Sequence, residues 1–141
     1  MAELLALVDE DTAAFNRIMD VFSMPKGTPE EKAARAAALE EATLYAASVP
    51  LRTMEAALKA LPLALEMAQK GNPASASDAG VAALAAVAGI RGAALNVRIN
   101  AAGLTDKAPA EPLLQRADTI VAHALALQDE VLAAVNHHIE A

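Results

Sequence analysis

The sequence predicts an all-α protein, a helical bundle of about five helices. Three observations carry that expectation. Hydrophobic residues make up 55% of the chain but aromatics only 2%, with no Trp, so alanine supplies much of the apolar content. Ala, Leu, Glu, Lys and Arg lead the helix-propensity scale, whereas sheets draw on β-branched and aromatic side chains. Apolar residues recur at three- and four-residue spacing between short segments of Pro, Gly, Ser and Asp. At 141 residues, with no repeat and no linker, the chain reads as one domain over 1–141 that can bury most of a core without staples.

Each helix has its own signal. Leu4, Leu5, Val8, Ala14, Phe15, Ile18, Met19 and Phe22 place a first helix over about Ala2 to Phe22, ended by Met24-Pro25-Lys26-Gly27. Thr28, Pro29 and Glu31 form a capping-box start for a second helix reaching about Ser48. Pro50 marks a boundary, and a third helix covers about Leu51 to Gln69, bent at Pro62 and ended by Gly71 in a positive-φ conformation. Ser75 or Ser77 caps a fourth helix running to about Ala102, with Gly103 as terminator. A fifth runs from about Glu111 to His138. Met19, Met24, Met54 and Met67 fit core packing.

The fourth helix is the most informative. At about 100° per residue, Asp78, Ala82, Ala85, Gly89, Gly92, Asn96, Asn100 and Gly103 share one face, with Val87, Arg91 and Arg98 opposite. Small residues on one face predict close helix packing, and asparagines there need partners because an unpaired buried amide costs about 1–3 kcal/mol. Asn96 and Asn100 lie about 6 Å apart along the axis and can serve one ligand, whereas Asp78 and Asn96 are about 27 Å apart and can meet only across two chains or a kink.

Composition excludes several classes. With no cysteine, disulfides, thiolate metal sites and a Cys nucleophile are ruled out. A net charge of −7 and the lack of a basic stripe argue against nucleic acid as a partner. The uncharged run Ala79 to Ile90 is shorter than the roughly 20 residues of a membrane span, and no basic-then-apolar leader follows Met1, so a cytoplasmic location without membrane contact is expected. His123, His137 and His138 have no metal-pairing spacing, and no metal site is expected. Asp9, Glu10 and Asp11 form an acidic cluster capable of acid–base work or of simple solvation. Lys26, Lys32 and Arg35 gather near the start of the second helix, where an anion is favoured.

The ordered set D-x-D-x-x-A-F (Asp9 to Phe15), T-P-E-E-K-x-x-R (Thr28 to Arg35), A-x-x-V-P-L (Ala46 to Leu51), G-N-x-x-x-x-S-D-A-G-V (Gly71 to Val81) and N-V-x-I-N (Asn96 to Asn100) resembles the cyclodeaminase family: the C-terminal domain of formiminotransferase-cyclodeaminase and its bacterial methenyltetrahydrofolate cyclohydrolase relatives. The resemblance implies folate one-carbon chemistry on a tetrahydrofolate derivative, with no tightly bound cofactor, in an all-helical homodimer or larger homo-oligomer. Carried over to this chain, Asp78 is the candidate for proton transfer or pterin contact. Asn72, Ser77, Asn96 and Asn100 match polar motif positions for substrate, and Lys26 and Arg35 are candidates for the folate glutamate tail. Members of the family carry a P-x-P-G-G-G-S-type segment and about two helices ahead of the position matched by Met1. The resemblance therefore implies a short N-terminal side, and a non-catalytic oligomerisation domain is the alternative to an enzyme.

Overall fold

Helix boundaries follow the sequence's breakers except at its internal prolines. The computed structural model describes residues 2–140, and among these there is no strand. The helices are α1 (Ala2–Phe22), α2 (Pro29–Leu58), α3 (Ala60–Lys70), α4 (Ala76–Gly103) and α5 (Glu111–Glu140), with 3₁₀ turns at Pro73–Ser75 and Ala108–Ala110. The capping box forms as the sequence predicts. Thr28 Oγ1 accepts from the Glu31 N–H at 3.1 Å, and Glu31 Oε2 accepts from the N–H groups of Thr28 and Gly27 at 3.1 and 2.7 Å.

Pro50 does not end its helix. A proline inside a helix removes one N–H and leaves the carbonyl four residues earlier without its donor. Here that carbonyl belongs to Ala46, and the Asn100 side-chain amide of α4 donates to it at 3.1 Å. The interruption falls at Lys59 instead, three residues before Pro62, whose ring excludes the Leu58 carbonyl from the ladder. Lys59 keeps near-helical angles (φ −61°, ψ −20°), so α2 and α3 form one rod broken at one residue. The bundle thus has four rods rather than five separate helices.

The glycine stops also differ from expectation. Gly71 ends α3 with φ −73° and ψ 180°, an extended conformation rather than a left-handed one. Glycine is required there because a Cβ would lie 2.3 Å from the Met67 carbonyl oxygen. Asn72 Oδ1 accepts from the Ala74 N–H at 3.0 Å and starts the 3₁₀ turn; Ser75 occupies the α4 N-cap without a side-chain cap bond. At the far end, Lys107 donates to the carbonyls of Ala101, Ala102 and Leu104, placing a cation on the exposed helix C-terminus. Glu40 accepts from the Thr105 N–H at 2.7 Å, and that bond holds its carboxyl below the usual carboxylate range.

α4 is the central helix, packed on α2, α3 and α5. Met54, Leu61, Ile90, Val97, Ile120 and Val131 are fully buried around it. Of the other methionines, Met19 and Met67 are exposed and Met24 is half-buried, so the core expectation fails for them. The small-residue face is not the packed one. Ala82, Ala85, Gly89, Gly92 and Asn96 face outward, while Ala83, Val87, Ile90, Ala94 and Val97 face the core. Branched aliphatic side chains release more free energy on burial than Ala or Gly and take the inner positions. With its preceding turn (Pro73–Gly103), α4 is long and apolar enough to cross a membrane by length and composition, a longer stretch than the uncharged run alone.

The Pro50–Asn100 pairing generates a stability prediction. Asn100→Ala is expected to cost about 1–3 kcal/mol because it strands a buried carbonyl. In a Pro50→Ala background, position 50 supplies its own N–H and the same change is expected to cost about 1 kcal/mol less. Denaturant unfolding of the four proteins measures this coupling; equal costs in both backgrounds would show that the amide does not serve Ala46.

Candidate functional site

Seven-residue spacing builds the seam between α1 and α2. Glu3, Glu10 and Arg17 stand two turns apart on α1, and Lys59, Arg52 and Tyr45 match them in reverse order on α2. Lys59 Nζ lies 2.9 Å from Glu3, Arg52 pairs with Glu10, and the Tyr45 hydroxyl donates to Glu10 at 3.0 Å. The Arg17 guanidinium sits 4.2 Å from the Tyr45 ring centroid, within cation–π range. Between these pairs Leu7 and Ala14 bury against α2, and Val21, seven further on, is buried beyond Arg17. Arg35 closes the end of the seam. Its Nε donates to the Val21 carbonyl at 3.1 Å, and its guanidinium lies 5.6 Å from the Phe22 ring centroid. The hydrogen bonds from Arg52 and then Tyr45 hold the Glu10 carboxyl below the usual carboxylate range, and Glu10 in turn raises the Tyr45 phenol.

α1 leans on α2 and stands apart from α4, leaving a groove of about 390 Å³ between them. One wall is α1, with Leu4 and Val8 beside Asp11 and Thr12. The floor is Pro50 and Thr53 of α2. The other wall is the outward face of α4: Gly89, Gly92, Ala93 and Asn96. A Cβ added at Gly89 or Gly92 would meet nothing within 4 Å, so the glycines keep this wall flat. The polar inventory is one carboxylate, one primary amide and two hydroxyls. Thr12 and Thr53 donate to the Val8 and Val49 carbonyls at 3.2 and 3.3 Å, and present their lone pairs as acceptors. The arrangement suits a flat, partly apolar molecule with a donor-rich edge, held beside a carboxylate able to move a proton.

The groove joins some of the residues that the sequence singled out and leaves others apart. Asn96 and Asp11 are in it. Asn100 is one turn beyond, committed to Ala46. Asp78 and Ser77 are exposed at the opposite end of α4, which is unbroken between, so Asp78 stays about 27 Å from Asn96. Asn72 caps the 3₁₀ turn, Lys26 lies exposed beyond α1, and Arg35 belongs to the seam. Thr12, Thr53 and Pro50 were not singled out for the site; the matched seven-residue spacings of residues 3, 10 and 17 with 45, 52 and 59 were the signal that would have set α1 on α2 and brought them together. A second cavity of about 540 Å³ lies on the other side of the seam, against Arg17, Tyr45, Ser48 and Leu113. Among the described residues no three His, Asp or Glu side chains are grouped to hold a metal ion.

Comparison with known proteins gives concordant matches. The family model for formiminotransferase-cyclodeaminase matches residues 1–119. A methenyltetrahydrofolate cyclohydrolase from Methylorubrum extorquens is 43% identical over 136 residues, covering 96% of this chain and 65% of the relative. A formimidoyltransferase-cyclodeaminase from Sus scrofa is 41% identical over 123 residues, covering 87% of this chain and 23% of the relative. The chain therefore spans just under two thirds of the first relative and under a quarter of the second. Among solved structures, a formiminotetrahydrofolate cyclodeaminase from Thermotoga maritima matches with a TM-score of 0.81 at 23% identity, over 98% of this chain and 65% of that one, which establishes a shared fold.

The depressed Glu10 carboxyl sets a pH dependence. A group whose folded pKa lies below its unfolded value contributes stability above the unfolded pKa, and that contribution disappears as pH falls through the folded pKa. Glu10→Gln is therefore expected to be less stable than the parent at neutral pH, with the gap closing as pH drops below the ordinary glutamate value of 4.5. Thermal unfolding of both proteins across acid pH reads this directly; a gap independent of pH would remove the ion pair as its source.

Proposed function

The chain belongs to the formiminotransferase-cyclodeaminase family, and from that premise we propose that it is a folate one-carbon enzyme acting on a tetrahydrofolate derivative in the α1–α4 groove. The observation that carries this reading is the convergence of three motif segments, around Asp11, Pro50 and Asn96, on one groove with a flat glycine wall. A pterin is flat, with an amino and ring N–H edge that a carboxylate or amide recognises. Two reactions fit. In the cyclohydrolase direction, water adds to the methenyl carbon and releases one proton, and the other water proton passes to N5 as the bond to N5 breaks and the formyl carbonyl forms, giving the 10-formyl form. In the cyclodeaminase direction, N10 adds to the formimino carbon, its proton passes to the imino nitrogen, and a further proton delivered by a general acid lets that nitrogen depart as ammonia, leaving the methenyl cation. Both need a proton carrier beside a single carbon and a pterin held still. Asp11 is the carboxylate within the groove, and Asn96 is the amide that orients the ring. Asp78 serves only a groove of another copy. Lys26, beyond the end of α1, is left to meet the carboxylates of the glutamate tail. No tightly bound cofactor is required, and a cytoplasmic location suits a folate substrate.

We also propose that the protein works as a homodimer or larger homo-oligomer. α4 exposes Val81, Leu84, Leu95 and Ile99 on one stripe, with Ile99 71% exposed, and α1 exposes Phe15, Met19 and Phe22. Contiguous apolar surface of this kind marks an interface. The same stripe supports the rival reading, a non-catalytic oligomerisation domain, and binding of a folate separates the two.

The activity test follows the loss of 5,10-methenyltetrahydrofolate absorbance, with ammonia release from 5-formiminotetrahydrofolate as the second arm. The parent is expected to accelerate one of them. Asp11→Asn is expected to lower kcat/KM by about 10²–10⁴-fold, the usual share of a proton-transferring side chain. No acceleration in either arm, with no folate binding by calorimetry, leaves the oligomerisation reading. For assembly, sedimentation is expected to show a dimer or larger species that dissociates in a Leu95→Glu/Ile99→Glu variant; a parent that sediments as a monomer overturns this proposal.

A further inference from the structure

Resting on the groove assignment above, we propose that Glu10, Tyr45 and Arg52 form a positioning cluster that sets the rotation and axial register of α1 and so delivers Asp11 to the groove. α1 has one substantial neighbour, α2. Its buried side chains are Leu7, Ala14 and Val21, one of them only a methyl group. An apolar seam this narrow resists neither rotation nor sliding strongly. On a helix about 10–12 Å across, a 20° rotation moves a side chain at its rim by about 2 Å. Displacements of about 1 Å cost catalytic groups on the order of 100-fold in rate.

The polar contacts supply the missing constraint. Tyr45 and Arg52 stand seven residues apart on α2 and converge on the same carboxylate oxygen of Glu10. Donors placed two turns apart along one helix bracket that oxygen from both axial directions, which blocks sliding. The bracket also fixes which way Glu10 points. Asp11 is the next residue, about 100° further round the helix, and that angle carries it from the seam into the groove. Arg17, stacked on the Tyr45 ring, holds the phenol in place from further along α1. None of these four side chains lines the groove, so their effect on a bound molecule passes through Asp11 and the α1 wall.

The test combines distance and kinetics. The chain has no cysteine, so paired cysteines at Asp9 and Arg91, both exposed, carry the only spin labels, and mixing with unlabelled protein suppresses distances between copies. The parent is expected to give one narrow α1–α4 distance. Glu10→Ala is expected to broaden it, Tyr45→Phe to broaden it less, and Glu10→Gln, which keeps an acceptor oxygen, to restore most of it. In the unlabelled proteins, at a temperature where all are fully folded, kcat on 5,10-methenyltetrahydrofolate is expected to fall about tenfold in Glu10→Ala with KM within about threefold, and to recover in Glu10→Gln. An unchanged distance distribution in Glu10→Ala overturns the inference whatever the kinetics show. A broadened distribution with unchanged kcat overturns the link to Asp11. If the parent acts on no folate, the folate reading fails, while the label distances still decide whether the cluster sets α1.

Discussion

A core made largely of alanine brings helices close but does little to fix their rotation, and the rest of this structure answers to that constraint. A large branched side chain locks into one hole on its neighbour; a methyl group fits many. Ala79, Ala83, Ala94, Ala117 and Ala124 fill much of the space around α4, interspersed with larger residues such as Met54, Ile90 and Ile120. Orientation therefore falls to polar contacts at the helix edges. The Glu10 bracket holds α1, the Asn100 amide holds α2 against α4, and the Lys107 ammonium gathers the carbonyls at the end of α4. Each satisfies a backbone or carboxylate group, so position and hydrogen-bond satisfaction come from the same contacts.

How much of the fold was legible depended on whether its cause was local. The capping box at Thr28 to Glu31 lies within four residues, and it formed as expected. Gly71 was rightly placed as a stop, but for a different reason: the Met67 carbonyl crowds the position, a contact that no propensity describes. Pro50 reads as a boundary because its missing N–H is local, whereas the compensating donor comes from Asn100 on another helix. Pro62 does interrupt the rod, at Lys59. The same rule about proline gave opposite outcomes because the answer lay fifty residues away in one case.

The site shows the same division. Asn96 and Asp11 stood out as polar residues in suggestive settings, and the groove contains both. Thr12 and Thr53 did not, since a threonine inside a helix has no sequence signature for facing a cavity. Asn100, placed beside Asn96 by helical phase, turned out to be occupied with the backbone, which phase alone cannot disclose. The outward turn of Gly89 and Gly92 reverses the expectation of close packing: a face of small residues marks where something comes near the backbone, without saying that the neighbour lies in the same chain.

That reversal constrains what Asp78 can do. α4 runs without interruption from Ala76 to Gly103 and acts as a rigid spacer of about 27 Å between Asp78 and Asn96. Both residues lie on the same outward face, along with the exposed apolar stripe. A second copy laid antiparallel along this face, crossing midway between the two, would set each Asp78 beside its partner's Asn96. A parallel or displaced pairing would leave Asp78 with no groove to serve. Any role for Asp78 in proton transfer thus depends on the geometry of assembly, whereas Asp11 needs only its own chain. The proposed proton-carrying role therefore falls first to Asp11.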